Sequence, residues 1–129
     1  MITSSETMPQ SRSEPGPREK AVFSVIGLFP SAKNRAQLIE LLRSVLDLSR
    51  VCPGRLAGWV SEEDSLQNRI IYAEQWESEE ALCEHIRSAL YRRILSAIEL
   101  SERTPEVRFY YANESRGFDL VESLRRKAA

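Results

Sequence analysis

The chain has 129 residues, 42% of them hydrophobic, enough to bury the core of one domain but not of two. Eighteen basic residues against nineteen acidic ones leave a net charge of −1, so no global field recruits nucleic acid or an anionic membrane. A single histidine and two cysteines, Cys52 and Cys83, outside any CxxC pair, argue against a Cys/His zinc site, and no run approaches the roughly 18 apolar residues of a membrane span.

Residues 1–19, rich in Ser, Pro and Glu, hold too little apolar surface to offset their ordering entropy and are expected to be a disordered tail. They lack the apolar region of a secretory signal, and two lone thiols fit a reducing compartment, so a cytoplasmic protein is expected. The folded domain should span 20–115, followed by a helical tail over 116–129.

Ala21 to Phe29 reads as a first strand, stopped by Pro30. Val22, Ile26 and Leu28 occupy one face, Phe23, Val25 and Phe29 the other. A strand apolar on both faces is covered on both. Ser31 is a candidate cap for a helix running to about Arg50, with Leu38, Leu41/Leu42, Val45 and Leu48 as its apolar stripe. Pro53-Gly54 ends that segment. Arg55 to about Glu62 is a second strand, and a short polar link turns it into a third, Arg69 to Trp76, as an antiparallel hairpin.

Along the third strand Ile70, Tyr72, Glu74 and Trp76 share one face, because side chains alternate with period two. Ser78 can cap the next helix, and Glu79 and Glu80 oppose the positive end of its dipole. Leu82, Ile86, Leu90, Ile94 and Ala97/Ile98 then recur at helical spacing, which predicts one long helix to Ile98. Val107 to Ala112 is a fourth strand, with Tyr110 facing away from Val107, Phe109 and Tyr111. A tail helix over about Phe118 to Lys127 presents Phe118, Val121 and Leu124.

The order strand, helix, strand, strand, helix, strand predicts an α+β fold: a ferredoxin-like split βαβ with an antiparallel sheet and both helices on one side. The sheet's other face, apolar at the first strand and at Tyr110, is expected to pack on a second copy, making a homodimer through the sheet face.

Trp76 at the strand exit and His85 in the helix are placed to flank one cavity between sheet and helix. Trp76 is either a pocket wall or a core aromatic. His85 is either a satisfied structural histidine or a base, since imidazole takes protons near neutrality. Glu74, a carboxylate in mid-strand, must be paired or protonated if buried; it is read as the partner of Arg92, Arg93 or Arg108, or as a second acid/base. Tyr72 and Tyr91 are candidate pocket residues, or core.

The run Pro53-Gly54, then Glu74-x-Trp76-x-Ser78-x-Glu80-Ala81-Leu82-x-x-His85, then Ile98-Glu99 and Pro105 before a strand, resembles the antibiotic biosynthesis monooxygenase family over about Ala21 to Asn113. The resemblance implies a dimeric α/β barrel with a pocket between sheet and helices. It implies oxidation of a small aromatic or phenolic substrate by O₂ without metal or other cofactor, with His85, Trp76 and Glu74 as catalytic candidates and no cofactor-binding residues. Two features depart from the haem-degrading branch: no Asn lies between Ala21 and Phe29, and Ile86 stands where that branch has its haem-ligating histidine. A non-catalytic module that binds a small hydrophobic ligand or serves to dimerise, and a haem-binding protein, stand as alternatives.

Overall fold

A computed structural model describes residues 20–63 and 67–128. The tail expected over 1–19 lies outside the described residues. In chain order the elements are β1 (Ala21–Leu28), α1 (Arg35–Ser49), β2 (Arg55–Glu62), β3 (Ile70–Trp76), α2 (Glu79–Arg87), α3 (Tyr91–Glu99), β4 (Glu106–Ala112) and α4 (Phe118–Ala128). The sheet runs β2-β3-β1-β4 with every neighbour antiparallel, the ferredoxin-like order expected from the sequence.

Register fixes the faces. Val22, Ser24, Ile26 and Leu28 of β1 are buried on the helix side, as are Ile70, Tyr72, Glu74 and Trp76 of β3. Leu38, Leu42 and Val45 of α1 and Tyr91, Ile94 and Ala97 of α3 join Ile26, Leu28, Ile70 and Tyr72 in the main core. A smaller cluster of Val22, Trp76 and Leu82 closes the end of the sheet where β1 begins and β3 stops. It sits between that sheet end and α2. On the opposite face β1 carries Phe23 and Val25, β3 carries Ile71 and Ala73, and Trp59 and Tyr110 stand 46% and 54% exposed. No helix among the described residues covers that side, and α4 likewise leaves Phe118, Val121 and Leu124 exposed.

Three expectations need correction. The first helix starts at Arg35, not beside Ser31; the Ser31 hydroxyl instead accepts the Asn34 N–H in the turn before it, and Leu48 faces solvent. The fourth strand begins one residue early, at Glu106. The long helix is two helices. Ser88 turns extended (φ −76°, ψ 160°), and both its N–H and its hydroxyl bond to the His85 carbonyl, at 3.0 and 2.6 Å, ending α2. The break has a packing consequence. Residues six apart on an unbroken helix point about 120° apart around its axis, so His85 and Tyr91 could not both face the sheet squarely. Broken at Ser88, both are buried, while Ile86 stands 38% exposed.

Candidate functional site

The site grows out of the end of β3. Alternation puts Tyr72, Glu74 and Trp76 on the helix side, all inaccessible to solvent. Two residues later the Ser78 hydroxyl accepts the Ala81 N–H at 3.1 Å, satisfying a free donor of α2 and starting that helix beside the strand end. Leu82 and His85, three apart, then share the inward side of α2. His85 is thereby set over Glu74.

Glu74 accepts from three side chains. The Tyr72 hydroxyl donates to Oε2 at 2.6 Å, and the Trp76 indole N–H to Oε1 at 3.0 Å. His85 Nε2 lies 3.0 Å from Oε2. The Trp76 and His85 rings stack at 4.5 Å between centroids, tilted by 31°, and Tyr91 meets the His85 ring edge-on at 5.3 Å. Burial pushes the Glu74 carboxyl up, but the hydrogen bonds from His85, Tyr72 and Trp76 outweigh it and hold the group below its ordinary 4.5. Burial, with Glu74 adjacent, pushes the Tyr72 phenol far above its usual range, and Tyr91 is raised for the same two reasons. Both tyrosines remain neutral donors.

An ionised carboxylate only accepts, so the His85 nitrogen facing it carries the hydrogen. The other nitrogen, Nδ1, is buried with no hydrogen-bond partner among the described residues. A buried polar atom left unpaired costs about 1–3 kcal/mol, so a group that donates to it would be bound favourably.

His85 and Trp76 line a cavity of about 480 Å³, with Cys52, Pro53, Ser78 and Ala81 among its other walls. The exposed residues Glu77, Glu80 and Glu84 complete it and mark its solvent side. That volume is of the size that takes a small ligand. The loop between α1 and β2 is held to α2 by Gly54, whose φ of 84° favours glycine and whose carbonyl accepts the Glu77 N–H at 2.8 Å. A Cβ there would stand 2.5 Å from the Ala81 Cβ. Close approach of that loop forms the cavity wall at Cys52 and Pro53.

The structure thus brings together His85, Trp76 and Glu74. It places Tyr72 and Tyr91 behind them, outside the cavity lining. No arginine among the described residues pairs with Glu74. Arg92 and Arg93 lie exposed on α3, and Arg108, opposite Val25, belongs to the other face of the sheet. Sequence reasoning did not single out the wall at Cys52 or the rim at Glu77 and Glu84; the Pro53-Gly54 turn was the only signal for either. Among the described residues no group of three or more His, Cys, Asp or Glu is placed to hold a metal ion, and no helix is long and apolar enough to cross a membrane.

No family model matches the chain, and no curated protein matches it. Solved structures do. A protein of Deinococcus radiodurans, described as a candidate antibiotic biosynthesis monooxygenase, is 26% identical, aligned over 74% of this chain and 96% of its own with a TM-score of 0.66. One of Nitrosomonas europaea, described in the same way, aligns over 77% and 96% at 12% identity and a TM-score of 0.67. A Bacteroides thetaiotaomicron protein of unknown function, described as a possible oxidoreductase, aligns over 72% and 98% at 18% identity and 0.66. The last two establish a shared fold.

Proposed function

We infer that this chain, whose fold and whose likeness to the Deinococcus protein support its assignment to the antibiotic biosynthesis monooxygenase family, oxidises a small phenolic molecule with O₂. The observation that carries this reading is the unpartnered Nδ1 of His85, on a ring that lines the cavity and whose Nε2 is bonded to an ionised carboxylate. A phenol in the cavity donates to Nδ1 and passes its proton there. The imidazolium that forms is stabilised by Glu74, as a base oriented by a third group should be. The phenolate ring, now electron-rich, reduces O₂. For a simple phenol the balance is one phenol plus one O₂ giving one quinone plus one water: one oxygen atom enters the ring, and the other leaves as water. Trp76 supplies the flat wall that orients the ring, and Glu74 positions His85. We propose that no metal, flavin or haem takes part.

The same reading includes a homodimer. Phe23, Val25, Ala73, Trp59 and Tyr110 form an apolar sheet face that no helix among the described residues covers, and a second copy packed there would bury it. The unpaired thiols Cys52 and Cys83 agree with a reducing compartment, and we read the protein as cytoplasmic. Oxygen uptake measured over a panel of hydroxyaromatics tests the activity. Uptake that depends on one of them supports it. Binding without oxygen uptake would make this a ligand-binding module instead.

A further inference from the structure

We propose that this cavity selects its ligand by charge: it takes a hydroxyaromatic that bears an ammonium group and rejects one that bears a carboxylate. The inference rests on the reading of the cavity as a phenol site and adds what the rest of the ligand must be. Three of the lining residues, Glu77, Glu80 and Glu84, are acidic, and none is Lys or Arg. Glu77 and Glu80 form no ion pair among the described residues. Glu84 is met only by Arg87, at 3.5 Å, with both side chains largely in water, a pair that neutralises little. Behind the wall, Glu74 adds a further carboxylate that is held ionised.

Two positive features oppose these groups: the start of α2 at Ser78, and Arg55, which pairs in register with Trp76 but donates to the Leu46 carbonyl at 3.4 Å and lies outside the cavity lining. A helix N-terminus amounts to about half a unit charge and is already faced by Glu79 and Glu80 in the first turn. The carboxylates therefore dominate the field at the mouth. Acidic residues alone would describe no more than a solvated surface. Here they surround a cavity whose inner wall is His85, with a fully buried side chain and an Nδ1 that lacks a partner. The two ends of a ligand are therefore specified separately, one by a hydrogen-bond donor at Nδ1 and the other by positive charge at the rim, with the aromatic ring on Trp76 between them.

The test uses three ring-matched phenols: tyramine (cationic), 4-ethylphenol (neutral) and 3-(4-hydroxyphenyl)propanoate (anionic). Each is titrated by calorimetry into the full-length protein at low and at high salt. The expected affinity order is tyramine, then 4-ethylphenol, then the propanoate, with the outer two separated by roughly tenfold or more at low salt and drawn together at high salt. The double variant Glu77→Gln with Glu80→Gln should shrink that separation several-fold, read as the ratio of tyramine to propanoate affinity. Equal affinities for all three phenols would overturn charge selection and leave the phenol site standing. If none of the three binds, the phenol site falls and this inference with it.

Discussion

Nε2 of His85 lies 3.0 Å from Oε2 of Glu74, and neither side chain reaches solvent. The carboxylate is held ionised by three donors, fixes the hydrogen on Nε2, and leaves Nδ1 as the ring's free acceptor. A carboxylate in that position fixes the orientation of the ring above it.

The first prediction concerns stability and pH. The folded-state pKa of Glu74 is lowered, so below 4.5 the unfolded chain binds the proton more readily than the folded one. The stability contributed by this ionised network is present above that value and is lost as the pH falls through the folded-state pKa. Thermal melts from neutrality into the acid range should show the loss, and Glu74→Gln should flatten it. At neutral pH the amide cannot accept from all three donors, and a buried donor left unpaired costs roughly 1–3 kcal/mol. A variant with the wild-type acid slope would remove Glu74 from the account.

The second concerns Gly54. An alanine there would combine a left-handed backbone with a Cβ 2.5 Å from that of Ala81. Forcing extra volume into a packed contact costs about 1–3 kcal/mol, and here it separates the loop at Pro53 from α2. Gly54→Ala should therefore melt several degrees earlier and bind any cavity ligand more weakly. Gly117→Ala is the control, since a Cβ there meets nothing closer than 3.5 Å.

How far the sequence could lead is clearest at β3. Alternation alone put Tyr72, Glu74 and Trp76 on one face, and Ser78 marked the start of α2 at the right residue. It could not say what reached Glu74. His85 reaches it from the inward side of α2, and Tyr91 joins His85 there through the break at Ser88, where a hydroxyl competes with the backbone for one carbonyl. The stripe through Leu82, Ile86 and Leu90 fits an unbroken helix equally well, and on such a helix His85 falls at the flank. The arginine partners failed for a related reason. Charge says that a buried carboxylate needs a partner, but not which face its neighbours occupy, and Arg108 is on the wrong one.

The third prediction is the dimer. In solution the protein should have about twice the 14.8 kDa chain mass by sedimentation. Val25 lies on the uncovered sheet face between Ala73 and Arg108, so Val25→Glu should yield monomers or aggregates. A wild-type protein that sediments as a monomer at micromolar concentration would remove the sheet-face interface.

The fourth concerns Trp76. Trp76→Phe keeps an aromatic wall but removes the indole N–H that Glu74 Oε1 accepts. Weaker ligand binding is expected, along with a carboxylate less firmly held in its ionised form. Both effects should exceed the change in melting temperature, which calorimetry and thermal melts compare directly. A variant that melts much earlier yet binds as wild type would make Trp76 a core residue only.

The central claim is that His85 is the base, and the rate of oxygen consumption per folded chain tests it most directly. On a hydroxyaromatic that the wild type oxidises, His85→Ala should fall by about 10²- to 10⁴-fold, the usual cost of losing general-base help, while ligand affinity changes far less. A His85→Ala protein that consumes oxygen at the full wild-type rate would contradict the account.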